Sequence, residues 1–169
     1  MNLIAMVDQY WSIGSKTRGQ VAINPYDMKR FKALTINNTV IMGRKTYERL
    51  PAAVCPLPNR RNIVLSTTVS DTIPGIEVYR KVSDVLDAIK SVPSNSVFVI
   101  GGAHVYHKFF PYCDTVYITR IHEKYYDPTD TDTITFPDHL WLIDEFEVAS
   151  LTQEPRDSDV QYIKYIRRK

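Results

Sequence analysis

Cysteine is scarce in this 169-residue chain: there are two, Cys55 and Cys113, and neither sits in a Cys-x-x-Cys or Cys/His ligand spacing. That excludes a disulfide-stapled secreted scaffold and a zinc site of ordinary spacing, and fits a reducing compartment. Charge of one sign is also lacking. Lys and Arg total 21 against 19 Asp and Glu, and the one basic run, Arg167-Arg168-Lys169, reads as a solvated tail, so neither a nucleic-acid nor a membrane surface is expected. No stretch approaches a membrane span, and the first residues lack the basic segment and apolar run of a signal peptide. A cytoplasmic protein is the expectation. Repeats, low-complexity blocks and linker-like stretches are absent too, which leaves a single domain over 1–169.

Hydrophobic residues (44%) and charged residues (24%) are in the proportions of a globular domain, enough for a real core. Strands are expected at 3–7, 39–42, 62–65, 76–79, 97–100 and 115–121, several of them apolar throughout, as in parallel strands covered on both faces. Helices are expected at about 25–36, 44–50, 83–92 and 102–109, the third with Ser83 as its N-cap. After Pro137 two longer strands, near 144–152 and 159–167, read as an antiparallel hairpin closing one edge. The fold class is therefore α/β: a sandwich with a mostly parallel central sheet of about eight strands, a C-terminal antiparallel hairpin and about four flanking helices. In such sheets ligands bind beyond the carboxyl ends of the strands, so the turns at Val7-Asp8, Gly43-Arg44-Lys45-Thr46, Ser66-Thr67-Thr68 and Gly101-Gly102 are where chemistry is sought.

One acid is placed unusually. Asn24-Pro25 reads as an N-cap followed by proline at the first helical position. At about 100° per residue, Phe31 and Leu34 fall on the same stripe as Asp27, and Lys29, Arg30 and Lys32 are assigned to the other side. Two readings stay open: a first-turn carboxylate favouring the helix dipole, or a carboxylate facing an apolar pocket, to be paired with an amino-bearing heterocycle. The turns at 43–46 and 101–103 could each present backbone N–H groups to an anion, or simply be tight turns; Ser66-Thr67-Thr68 could offer hydroxyls or ordinary turn chemistry. The Gly-x-Gly-x-x-Gly fingerprint is missing, so a standard Rossmann assignment has no support. Three such turns at one sheet edge together suggest a dinucleotide.

Taken in order, these segments resemble the dihydrofolate reductase family from Leu3 to about Lys169. The stretch Val40-Ile41-Met42-Gly43-Arg44-Lys45-Thr46-Tyr47-Glu48 resembles the family's second strand and cofactor helix, and Pro25-x-Asp27-x-x-x-Phe31-Lys32 its substrate helix. Leu57-Pro58-Asn59-Arg60-Arg61-Asn62-Ile63-Val64-Leu65-Ser66 resembles the proline-rich loop and third strand. Val99-Ile100-Gly101-Gly102-Ala103-x-Val105-Tyr106 resembles the glycine pair before the last cofactor helix, and Phe136-Pro137 the approach to the terminal hairpin.

The resemblance implies NADPH-dependent reduction of dihydrofolate to tetrahydrofolate, feeding one-carbon metabolism and thymidylate synthesis, by an antifolate target that is a monomer and binds no metal. It implies Asp27 and Thr119 as the catalytic pair. Ile4, Ala5, Met6, Met28, Phe31, Leu50, Leu57 and Ile100 would wall the substrate pocket, and Arg60 would grip the substrate's α-carboxylate. Ile13 and Gly14, with Tyr106 beside them, would frame the nicotinamide, and Ala5 and Ile100 would also touch the cofactor. Gly43, Arg44, Lys45, Thr46, Leu65, Ser66, Thr67, Gly101, Gly102, Ala103, His104 and Val105 would carry the rest of the cofactor, with a cis peptide at Gly101–Gly102. The segment 8–24 would be a lid. The sequence departs from the family at two places: Gln20-Val21-Ala22-Ile23-Asn24-Pro25 has no proline-tryptophan pair, and His104 stands where arginine is common. Two other readings remain: a pyrimidine reductase of the riboflavin pathway on the same fold, and a non-catalytic nucleotide-binding structural protein.

Overall fold

The apolar segments form one sheet whose two faces are both covered. The computed structural model describes residues 1–20, 24–123 and 126–169. Eight strands order as β10–β11–β8–β1–β7–β4–β5–β6, where β1 is Asn2–Val7, β4 Thr39–Gly43, β5 Arg61–Leu65, β6 Ile76–Tyr79, β7 Val97–Gly101, β8 Thr115–Ile121, β10 Phe146–Glu154 and β11 Asp157–Arg167. From β8 to β6 neighbouring strands run parallel, while β11 pairs antiparallel with β8 and with β10, giving the expected hairpin at one edge.

Strand periodicity sorts the core into two layers. Leu3, Ala5, Val7, Ile41, Ile63 and Val99 face the layer built on Val85 and Ile89 of α3 (Val82–Ile89) and on Val105, Tyr106 and Phe109 of α4 (Ala103–Phe109). Ile4, Val40, Met42, Val64 and Phe98 face the other layer, with Phe31 and Leu34 of α1 (Pro25–Thr35). These alternating contacts, rather than helix propensity, hold the short helices in place.

Three expectations need correction. There are five α-helices among the described residues where about four were expected: α5 (His139–Glu145) precedes the hairpin, with Leu142 alone of its residues buried and Leu140, Trp141 and Ile143 exposed. A helix so weakly apolar on its inner side leaves little periodic signal. Ser83 is not the N-cap of α3. Lys81 holds that position without a side-chain bond, and the Ser83 hydroxyl donates to Asp84. The segment after β1 is not a plain loop: β2 (Ser12–Ser15) pairs with β3 (Gly19–Gln20) and with β9 (Thr133–Thr135) in a small antiparallel sheet. Strands of two to four residues are too short to show alternation, and β9, the second partner of β2, lies more than a hundred residues away. Part of the departure at 20–25, residues 21–23, lies outside the described residues.

Candidate active site

The chain leaves β1 through α1 on one face of the sheet and leaves β7 through α4 on the opposite face, so connections diverge between two neighbouring strands. Such a switch point opens a crevice at the carboxyl ends of the strands. β1 pairs with β7 through Asn2↔Phe98 and Leu3↔Val99. Beyond it Tyr106 takes over: its hydroxyl donates to the carbonyl of Ile4 at 2.8 Å and to that of Ile100 at 3.1 Å. Burial pushes this phenol's pKa up, so it stays a donor.

Asp27 enters this region from α1. The Asn24 side chain caps the helix by accepting from the backbone N–H of Tyr26 at 2.9 Å and of Asp27 at 3.2 Å, so capping does not require the Asp27 carboxylate. Asp27 is 7% exposed. Burial raises its pKa, against the opposing influence of the Thr119 hydroxyl and the Arg30 charge. Of the two readings left open by the helical wheel, burial and the Asn24 cap favour an acid turned to the interior. Thr119 is fully buried on β8 and stands within reach of the carboxylate.

The glycine turn is built around Tyr106. Gly101 has φ +102, and a Cβ there would lie 2.6 Å from the Tyr106 ring, so both backbone and space demand glycine. The Gly101–Gly102 peptide is cis, as expected. Gly43 abuts the same place: its Cβ would come within 3.0 Å of Val105 Cγ2, and one on Gly102 would be 3.6 Å from Thr46 Oγ1. The ends of β4 and β7 and the starts of α2 (Arg44–Glu48) and α4 are thus brought together with almost no side-chain bulk between them.

The whole chain has relatives of known kind. A family model described as dihydrofolate reductase matches residues 1–167. The chain belongs to the dihydrofolate reductase family. It is 36% identical over 141 residues to the dihydrofolate reductase of Bacillus subtilis (strain 168), covering 83% of this chain and 79% of the relative. It is 35% identical over 133 residues to that of Staphylococcus aureus (strain N315), covering 79% and 74%. Among solved structures, a dihydrofolate reductase from Enterococcus faecalis complexed with NADP(H) and RAB-propyl aligns at a TM-score of 0.80 and 28% identity, over 99% of this chain and 96% of that one. The enzyme is an oxidoreductase that reduces dihydrofolate with NADPH.

The residues fit that cofactor. Neither Gly43 nor Gly102 supplies a side-chain cap, so the first N–H groups of both helices are left for another acceptor, and the absence of a Cβ keeps the approach open. Tyr106, Ala5 and Val105 share one layer, with Ile13 and Leu65 packed against it. Arg44 is ion-paired with Glu48 at 2.8 Å on the surface, and Lys45, Thr67 and His104 are exposed. Ser66 is buried, and its hydroxyl accepts from the backbone of Thr68 and Val69, each at 3.1 Å, which is turn chemistry.

On the substrate side, Ile4, Phe31, Leu50, Leu57 and Ile100 gather in one cluster, and Met6 lies in a small group with Ile121. Met28 stands apart, 48% exposed. Arg60 is tethered by Nε to Thr35 Oγ1 at 2.9 Å and by Nη1 to the Pro58 carbonyl at 2.8 Å, with its guanidinium 5.6 Å from the Phe31 ring centre.

Sequence reasoning missed three polar residues here. Arg30 was assigned to the wet side of α1, but at three residues from Asp27 it lies only about 60° away around the helix, and it turns inward. Asn62, 3% exposed, zips the loop that carries Leu57 and Arg60: it accepts from Leu57 N at 3.1 Å and donates to the carbonyls of Leu57 at 2.9 Å and Arg60 at 3.0 Å. An asparagine opening a buried strand after a proline-rich loop was its only signal. Arg80 holds the Ser66 turn, donating to the carbonyls of Ser66 at 2.6 Å and Val69 at 2.9 Å while paired with Asp71.

Proposed function

We propose that Asp27 is the group on which the reaction turns: a buried carboxylate that accepts two parallel hydrogen bonds from the N3 and 2-amino edge of dihydrofolate and, through its charge, favours protonation at N5. The observation that carries this reading is a buried acid, near the Thr119 hydroxyl and Tyr106, whose helix is already capped by Asn24. Desolvation makes an isolated anion there unfavourable and a paired one favourable, so the pocket selects a flat donor pair. When bound, NADPH would supply the hydride for C6, and N5 would take its proton from water.

The other roles follow from placement. Thr119 orients the carboxylate. Ile4, Phe31, Leu50, Leu57 and Ile100, with Ala5, Met6 and Met28, wall the substrate. Arg60, already tethered on one side, meets the distal carboxylate. Ile13, Gly14 and Tyr106 frame the nicotinamide. The turns at 43–46, 65–67 and 101–105 hold the remainder of the cofactor, with Arg44, Lys45 and Thr67 toward the 2′-phosphate. The small sheet after β1 excludes water when substrate is bound. One domain spanning 1–169 does this as a cytoplasmic monomer that binds antifolates; the free thiols of Cys55 and Cys113 suit a reducing compartment. No helix among the described residues is long and apolar enough to cross a membrane.

The test is NADPH consumption with dihydrofolate by the wild type and by Asp27→Asn across pH. The variant should be slow near neutral pH and recover partly in acid; a profile identical to the wild type would remove Asp27 from the mechanism.

A further inference from the structure

We infer that Arg30 is a positioning residue for the Asp27 carboxylate, acting through the Thr119 hydroxyl so that both carboxylate oxygens stay available to the substrate. The inference rests on the reading of Asp27 given above and deepens it.

Arg30 is half-buried between α1 and the terminal hairpin. Its Nη1 donates to the carbonyl of Ile118 at 2.8 Å and to Thr119 Oγ1 at 3.1 Å, and Nη2 donates to the carbonyl of Ile163 at 3.4 Å. The guanidinium carbon lies 4.7 Å from the ring centre of Tyr162 and 5.8 Å from that of Tyr117. A fork with this many partners on β8 and β11 is fixed in direction.

The consequence lies in the hydroxyl. Thr119 has one proton to give and two lone pairs to receive with. The guanidinium can only donate, so it occupies a lone pair and leaves the threonine proton pointing away from Arg30, available to the nearby Asp27 carboxylate. A threonine without this neighbour could turn its hydroxyl either way. Arg30 therefore converts Thr119 into a committed donor. Among the described residues no ion pair closes directly between Arg30 and Asp27. Such a pair would occupy the oxygens that a two-pronged donor needs.

The groups facing Asp27 make Arg30 the cation that matters. Thr119 reaches it from β8, Tyr162 from β11 and Tyr106 from α4, while Tyr117 on β8 faces Arg30. Burial raises the pKa of Tyr106 and of Tyr162, whose hydroxyl also donates to Glu154 at 2.8 Å, so both remain neutral. Lys164 is placed over the Tyr117 ring. Arg30 favours the ionised carboxylate, second to Thr119.

The experiment is the pH dependence of the single-turnover hydride-transfer rate, with melting temperature measured alongside, for Arg30→Met, Arg30→Lys, Thr119→Val and Asp27→Asn. Removing the positive charge makes protonation easier at every nearby group, so the midpoint for Arg30→Met should move to higher pH. Arg30→Lys should bring it back toward the wild type with a raised KM for dihydrofolate, since an ammonium cannot reproduce the fork. Thr119→Val, which keeps Arg30, should also move the midpoint upward. If Arg30→Met does not fold, Arg30→Lys and Thr119→Val carry the test, with the double variant expected to be less than additive. An Arg30→Met or Thr119→Val profile that overlays the wild type, with melting temperature alone lowered, would overturn the inference. A wild-type profile for Asp27→Asn would instead overturn the reading on which it rests.

Discussion

The two sides of the crevice are built on opposite principles. On the substrate side, charged and polar side chains do the work and other side chains hold them: Asn24 caps the helix that bears Asp27, Arg30 engages Thr119, and Asn62 zips the loop that presents Arg60. On the cofactor side, function resides in what is missing. Gly43, Gly101 and Gly102 leave the backbone bare, and the space a Cβ would need at Gly101 is filled by the Tyr106 ring. The difference teaches that one half should be fragile to changes of chemistry and the other to additions of volume.

The comparison is tested most severely at Asp27. Asp27→Asn removes the anion with little change of shape and should lower hydride transfer near neutral pH by about 10²–10⁴-fold, with the Kd for NADPH nearly unchanged by fluorescence titration. The next effect belongs to the other side. Gly101→Ala adds one carbon where φ is +102, a conformation costing about 1–2 kcal/mol for a non-glycine residue before the clash with Tyr106 is counted. Melting temperature should fall and the Kd for NADPH should rise at least tenfold or so, while the Kd for dihydrofolate moves little; equal loss of both ligands would break the distinction. Asn62→Ala should destabilise by about 1–3 kcal/mol through the backbone groups it leaves unpaired. In steady-state kinetics it should raise the KM for dihydrofolate more than that for NADPH.

Smaller still is an effect on stability. Burial raises the folded-state pKa of Asp27 above its unfolded value. Its contribution to folding is therefore fully retained below the ordinary carboxylate pKa and is lost as pH rises through the folded-state value. Asp27→Asn should melt higher than the wild type at neutral pH, with the gap closing in acid; a gap that widens in acid would contradict the raised pKa. The smallest change is expected for Arg44→Ala, whose exposed pairing with Glu48 adds little to stability. Its melting curve should overlay the wild type, while KM rises for NADPH and not for NADH.

Much of this was legible in the chain. The strands at 3–7, 39–42, 62–65, 76–79, 97–100 and 115–121 all appear within a residue or so of their expected limits, because apolar runs in a doubly covered sheet are a strong local signal. Asn24 as a cap and the inward stripe of buried Asp27 with half-buried Phe31 and Leu34 were also readable, since both depend on neighbours along one helix. What escaped depends on distant partners. β2 is a strand because 133–135 lie beside it, and Arg30 points inward because Ile118, Thr119 and Ile163 offer acceptors there. Asn62 escaped for a different reason: its partners are five residues or fewer away, but nothing local distinguishes a zipping amide from an ordinary loop residue.

Tyr106 and Gly101 constrain each other's history. A larger residue at 101 requires a smaller ring at 106, yet shortening that ring removes the hydroxyl that ties the carbonyls of Ile4 and Ile100 where the two strands part. Neither position can drift alone, and a joint change would have to pass through an intermediate with either a clash or an untied crevice. Substitutions that tune this enzyme should therefore accumulate around the pair and leave the pair itself untouched.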